Sequence, residues 1–416
     1  MTLDLVSLPL LAVLVGVIFI TSRAIHNVFF HPLRKFPGPL THKITSMVIG
    51  YHQFRGSGVY HLRDLHDKYG TIVRVGPNEL SFIDEQAWAD IYGHRTSQGI
   101  GDLPKDLRTN RPEDNNVPNI INANDVDHRR FRRIQAPLFS DKAISAQEPL
   151  ITDFVKLLIS QLHARANSSL NVVDMVEWYT FTTFDVLGEL AFGNSFNCLK
   201  NGYSNDWIEN TNLLLRDISN WATLQKFPWP LNKILYSMTP KNKRNASKER
   251  NIQRKQVVHQ RIERDTSPEK PDFMSQMLKY KDEKGMTISE IETNSGVLII
   301  AGSETTATLL SGLTYLLLTN LEHLEKLTKL IRTTFASPND ITGLALYRLD
   351  YLSAIIDESF RLYPPVAGSL PRMTKKGGSV ICGEVIPEYT TVSIPHFVAY
   401  RSPRNWTDPE KFVPER

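Results

Sequence analysis

The stretch "NSGVLIIAGSETTATLLSGLTYLLL", residues 294–318, decides the fold. It is apolar at most positions, carries a single charge at Glu304, and is far longer than a strand of about 3–10 residues. Just upstream, "TISEIE" puts Thr287 and Glu290 at capping-box spacing, in which the threonine hydroxyl and the glutamate carboxylate satisfy the first free amides of a helix. A helix of about thirty residues rising about 1.5 Å each spans about 45 Å. That is enough to cross a domain through its core. In its middle, "AGSETT" breaks the pattern. Gly302 costs about 1 kcal/mol in a helix interior, and Glu304 sets a carboxylate among apolar turns. One reading is that Ala301 and Gly302 let a flat ligand or a small reactant approach the backbone, with Thr305 and Glu304 supplying a hydroxyl and an acid for proton delivery. The other is that the small residues seat a crossing helix.

Outward from this helix, residues 128–360 keep helical periodicity, as in "ITDFVKLLISQLHARA" and "LEHLEKLTKLIRTTF". Residues 240–272 interrupt it with a basic, polar stretch expected to form surface helix and loop. Strand character is confined to the two ends. "TIVRVGPNELSFI" reads as a hairpin around Gly76-Pro77-Asn78, and "GSVICGEVIPEYTTVSI" as a late group of strands. The expected class is therefore mainly α with a minor β part (α+β), in which early and late strands may pair. Residues 93–127 are polar and aperiodic, a loop long enough to be functional.

The N-terminus is uncharged from Leu5 to Ser22, just long enough to cross the hydrocarbon layer. Asp4 precedes the run, and Arg23, Arg34 and Lys35 follow it. This arrangement favours an uncleaved anchor with the downstream body on the cytoplasmic side. The boundaries are an anchor at 1–22, a basic, Pro-rich hinge at 23–40 that Pro32, Pro37 and Pro39 make stiff and extended, and a body at 41–416. A net charge of +4 with dispersed Lys and Arg gives no support to nucleic-acid binding. Two cysteines, Cys198 and Cys382, exclude a disulfide framework.

Three charged groups stand out. "DESFRLYPP" sets Glu358 and Arg361 three residues apart on one helix face, a pair that matters only if another charge joins it. "DHRRFRRIQAPLFS" sets His128 and Arg132 on one face of a short helix, with Arg129, Arg130 and Arg133 on the others. That pattern suits either a solvated basic face or one that holds an anionic cofactor group and meets an acidic partner. Arg372 in "SLPRMT" could supply a further cation.

In order along the chain, the anchor and Pro-Gly-Pro hinge, "H-x-x-x-R", "AGSETT", "E-S-F-R", "L-P-R" and "F-V-P-E-R" resemble the cytochrome P-450 superfamily of heme-thiolate monooxygenases. The form they resemble is the microsomal one typical of filamentous fungi, and the match runs from about residue 30 to Arg416. The resemblance implies heme b as cofactor, an apolar small-molecule substrate, a setting in secondary metabolism, and electrons from a membrane-bound NADPH-cytochrome reductase docking near Arg129, Arg130 and Arg133. It also implies an endoplasmic reticulum location, single-pass, with membrane lipid around the anchor. Carried over, Thr305 is the oxygen-activating threonine and Glu304 its acid, while Ala301 and Gly302 form the oxygen groove. His128, Arg132 and Arg372 bind heme propionates, and Glu358, Arg361 and Arg416 make a buried charge triad. Residues 93–120, 294–300 and 366–370 line the substrate pocket.

Two departures accompany it. The family's "P-x-G-T" turn reads "PEYT", with Tyr389 in place of glycine, a strain if the turn needs positive φ. The Phe- and Gly-rich loop with the iron-ligating cysteine that follows "P-E-R" in the family is not in the sequence, and neither Cys198 nor Cys382 has that context. A thiolate is required for the family's chemistry. The competing expectation is accordingly a truncated, catalytically inactive member.

Overall fold

The computed structural model describes residues 7–94, 102–107, 117–167, 172–263, 272–280 and 285–416. Helix dominates, with a small sheet component, as the α+β reading expects. The chain divides into two compact units, one of residues 1–109, 220–238 and 367–409, the other of residues 110–219, 239–366 and 410–416. Each unit is assembled from separate chain segments.

The first unit holds all the strands among the described residues: β1 (Ile72–Gly76), β2 (Glu79–Phe82), β3 (Arg372–Met373), β4 (Ser379–Ile381), β5 (Glu384–Ile386) and β6 (Thr391–Ser393). β1 and β2 form the expected antiparallel hairpin, with Ile72 opposite Phe82. β2 also pairs with β6 in parallel and β6 with β3 antiparallel, giving the order β1-β2-β6-β3, while β4 and β5 make a separate ribbon. Early and late strands do pair. They bury Leu80, Phe82, Val392 and Ile394 in one core with Ile381, Ile386 and Val398.

This unit begins with helix Ser7–Ile25, which overlaps Val13–Phe30, a stretch long and apolar enough to cross a membrane. The hinge is not extended throughout, as the sequence suggested. Residues His26–Phe30 are helical and Pro32–Lys35 form a 3-10 turn. The His31 ring accepts from the Leu33 amide at 3.1 Å, and Leu33 and Phe36 are buried, so capping and core contacts override the proline bias. His31 and the stretch from Phe36 to Pro39 are extended. There Gly38 is required, because a Cβ would lie 2.4 Å from the Arg74 carbonyl oxygen. Arg74 is fully buried in β1 and donates to the carbonyls of Asn27 (2.9 Å) and Pro77 (2.6 Å). Burial holds its guanidinium down to about 10. The "PEYT" turn does need positive φ, with Tyr389 at 55°.

The second unit is helical. Its central helix, Ile288–Thr319, starts on the Thr287–Glu290 capping box, with both reciprocal hydrogen bonds made. It lies along helix Met175–Phe192. Ser295, Ile299, Ser303 and Ala307, at four-residue spacing, are buried; Ile299 joins Phe181, Phe184 and Phe192 in the main core. Close packing selects glycine twice. A Cβ on Gly302 would stand 2.9 Å from Leu187 Cδ1, and one on Gly312 would stand 2.4 Å from Tyr363 Cδ1. A smaller core gathers Leu317, Leu327, Ile355, Leu362 and Phe412 beneath helices Leu321–Thr334 and Asp350–Leu362. The basic stretch contains helix Lys241–Glu263.

Candidate functional site

The central helix buries one face and leaves another accessible. Val297, Ile300, Ala301, Glu304, Thr305 and Thr308 recur at three- and four-residue spacing, and all are partly or fully exposed. The two small residues of "AGSETT" divide between the two readings. Gly302 seats the crossing helix through Leu187, whereas Ala301 is exposed on the accessible stripe. Thr305 Oγ1 donates to the Ala301 carbonyl at 2.5 Å, a back-bond to the fourth preceding residue that a small rotation can redirect. Burial holds the Glu304 carboxyl above the usual carboxylate range, because desolvation disfavours its charged form. The stripe thus presents a small apolar floor, a hydroxyl and an acid that keeps its proton more readily than usual.

Of the expected pocket stretch 294–300, Asn294 is fully buried. It accepts from the Ile120 amide at 2.9 Å and from Gln135 Nε2 at 3.1 Å, and donates to Glu290 O at 2.8 Å. It ties the helix start to the segment before helix Asp125–Gln135; no local sequence signal marks Gln135 as its partner. Of 93–120, residues 95–101 and 108–116 lie outside the described residues. In 366–370, Val366 and Leu370 are exposed.

Helix Asp125–Gln135 is capped by Asn124, whose side chain accepts from Val126 N and Asp127 N. Arg129, Arg132 and Arg133 are exposed and His128 is partly buried. Arg130 does not belong to an open basic face. It donates to Glu290 Oε1 (2.5 Å) and Oε2 (3.0 Å) and to Asp127 Oδ1 (2.8 Å), tying this helix to the capping box of the central one. Sequence reading placed Arg130 with its neighbours because its acidic partner is remote in the chain. Arg372 belongs to the other unit, in β3, with its guanidinium 5.8 Å from the Tyr92 ring centroid.

The structure brings Glu358, Arg361 and Arg416 together. The carboxylate of Glu358, 4% exposed, accepts from Arg361 Nε at 2.7 Å and Nη2 at 2.8 Å, a bidentate pair. Its Oε1 also accepts from the Val413 amide at 2.9 Å and Arg416 Nε at 3.1 Å. Both arginines donate to the Lys411 carbonyl, at 3.0 and 3.2 Å.

Among these residues, Ala301, Glu304, Thr305 and Arg132 fit the heme expected from the resemblance. They offer an accessible helix stripe and an exposed cation for an anionic edge. The cysteines do not fit as its axial ligand. Cys198 is buried and Cys382 sits in the β4–β5 turn at φ 50°. Burial pushes each thiol up to about 12, and nearby carboxylates add to the shift, with Asp185 beside Cys198 and Asp84 and Asp90 beside Cys382. Neither is a thiolate at neutral pH.

Comparison with known proteins gives a consistent result. The family profile described as "Cytochrome P450" matches residues 37–416. The chain is 40% identical over 408 residues to cytochrome P450 monooxygenase aclL of Aspergillus oryzae, covering 98% of this chain and 82% of that protein. It is 42% identical over 397 residues to monooxygenase astA of Talaromyces wortmannii (94% and 78%) and 41% identical over 408 residues to tpeC of Talaromyces stipitatus (98% and 78%).

Proposed function

The chain belongs to the cytochrome P450 family, whose cofactor is heme, and from that premise we propose that it inserts oxygen into an apolar small molecule of fungal secondary metabolism. The observation that carries this reading is the accessible stripe of the central helix, where Ala301, Glu304 and Thr305 are presented together.

Heme, when bound, supplies the activation of dioxygen. Proton handling falls to the chain. Glu304 holds a proton at its carboxyl further into the neutral range than an exposed acid does. Thr305 Oγ1 turns from the Ala301 carbonyl to donate into the space above the stripe. Ala301 keeps that space open and apolar, which limits water. Arg132 and His128 would hold heme propionates by charge-assisted hydrogen bonds, a role that the resemblance also gives to Arg372. The Glu358–Arg361–Arg416 group holds residues 411–416 onto helix Asp350–Leu362 and braces the segment that supports the cofactor. The exposed Arg129 and Arg133 offer the docking charge for an NADPH-dependent reductase, while Arg130 binds Glu290. Helix Ser7–Ile25 supports anchorage in the endoplasmic reticulum membrane, with the rest of the chain on the cytoplasmic side.

A second reading rests on the cysteines: these 416 residues take up heme without thiolate ligation and do not turn over. Titration of the full chain with heme, followed by reduction and carbon monoxide, tests both. A Soret band that weakens in Arg132→Ala and persists in Cys198→Ser and Cys382→Ser supports the heme site, and no heme uptake overturns it. A thiolate-type carbon monoxide spectrum overturns the second reading. With reductase present, product oxygen derived from labelled dioxygen, reduced in Thr305→Ala at unchanged heme content, supports monooxygenation; oxygen derived from water overturns it.

A further inference from the structure

Three histidines of the first unit, on three successive helices, meet at a place the proposed function does not use. His42 lies in helix Leu40–Ile44, directly after the Pro37-Gly38-Pro39 hinge, His52 in helix Met47–Phe54 and His61 in helix Gly58–Tyr69. Nε2 of His42 and Nε2 of His61 are 3.0 Å apart. The two rings are 25° from parallel with centroids 5.1 Å apart, so they meet nearly edge to edge. His52 stacks on His61 at 3.8 Å, with the rings 5° from parallel. Each outer ring is oriented by a hydroxyl, His42 Nδ1 by Thr41 Oγ1 (3.3 Å) and His52 Nδ1 by Ser57 Oγ (3.1 Å).

An edge-to-edge contact of two ring nitrogens suits a shared N–H···N hydrogen bond, which requires one nitrogen to keep a lone pair. It does not suit two ligands converging on a metal, and no group of three metal-ligating side chains occurs among the described residues. We propose that His42, His52 and His61 form an acid-sensitive clasp that fastens the helix after the hinge to helix Gly58–Tyr69 at neutral pH and releases it on acidification. His42 is 1% exposed, so a charge there is poorly solvated, and protonating both paired rings sets two cations 3.0 Å apart with a third ring stacked behind.

The charged surroundings are named by element. On β2, Glu79 favours the cation at His42, but its carboxylate already accepts from Lys226 Nζ at 2.6 and 2.7 Å. Asp64, on the same helix as His61, favours a cation there. On β1, Arg74 is buried and acts on Lys43, the neighbour of His42. Burial and the opposing rings outweigh the acids, holding His42 down to about 4 and His61 below its ordinary value. The sign follows. A base depressed in the folded state gives its full stabilisation above its unfolded value, about 6.5 for histidine, and loses it as pH falls toward the folded value. The clasp therefore weakens between about pH 6.5 and 4.

The test is hydrogen exchange of the full chain in lipid nanodiscs from pH 7 to pH 5, above the range where ordinary carboxylates titrate. The expected result is loss of protection at residues 42–45 on acidification, after correction for intrinsic exchange, at up to about tenfold per pH unit for one proton. In His61→Gln, which keeps hydrogen-bonding capacity without a titratable ring, that acid-dependent loss disappears, and circular dichroism at pH 7 reports that the variant is folded. His66, a buried histidine bonded to Ser81 and Gly70, is the control, and His66→Gln leaves the profile at 42–45 in place. An identical profile in wild type and His61→Gln, or its loss in His66→Gln alone, overturns the proposal.

Discussion

Replacing Arg361 by alanine removes the bidentate partner of a carboxylate that is 4% exposed. Glu358 would keep the Val413 amide and Arg416 on Oε1 only, and the Lys411 carbonyl would lose a donor. Breaking one side of a buried ion pair costs about 3–5 kcal/mol. For a unit of this size that lowers the melting temperature by about 6–20 °C, at about 2–4 °C per kcal/mol. Arg416→Ala is a milder change. Its side chain is 17% exposed, it supplies one bond to Oε1 at 3.1 Å, and the Arg361 fork stays in place. Losing one hydrogen bond to a charged group costs about 1.5–3 kcal/mol, and partial exposure brings this toward the lower end. Thermal unfolding followed by circular dichroism at pH 7 measures both. A cost for Arg416→Ala equal to or above that for Arg361→Ala would refute the assignment of Arg361 as the principal partner. Values below about 1 kcal/mol for both would show that the carboxylate is not buried in solution.

Three further outcomes follow from geometry already described. Tyr389→Gly should stabilise the protein by about 0.5–1 kcal/mol, because relief of a left-handed φ worth about 1–2 kcal/mol exceeds the added chain entropy of glycine; urea denaturation measures it. Gly312→Ala should destabilise by about 1–3 kcal/mol through overpacking against Tyr363, read as a lowered denaturation midpoint, and no change would mean that the Tyr363 ring moves aside freely. Glu304→Gln should make the protein more stable than wild type at neutral pH while slowing turnover. The carboxyl is raised in the folded state, so its ionisation opposes folding as pH rises, and the stability difference between the two proteins should vanish below the ordinary carboxylate range.

Much of this architecture could be read from local patterns. The Thr287–Glu290 spacing located the start of the central helix because capping is a contact within one turn, and the Gly76-Pro77-Asn78 turn located the β1–β2 hairpin for the same reason. The approach of Arg416 to Glu358 across the chain came from family resemblance, since nothing near either residue indicates the other. Other long-range partners were not legible at all. Arg130 looked like its exposed neighbours until Glu290 was seen beside it, and the bonds of Asn294 to Ile120 and Gln135 had no signal in the sequence. Gly302 was readable either way, because a glycine forced by a ligand and one forced by Leu187 look the same in sequence. The hinge was misjudged because proline spacing says nothing of the His31 ring that caps the Leu33 amide.

The parallel pairing of β2 with β6 also sets a clock on synthesis. Glu79–Ser81 find their partners at Thr391–Ser393, roughly 300 residues later, which at about 5–20 residues per second is roughly 15–60 s of translation. Through that interval one edge of the β1–β2 hairpin waits without its native neighbour, while the segments of the second unit up to Val366 have already emerged. Until β6 has been made, that edge of the hairpin carries unpaired backbone groups that another strand could pair with.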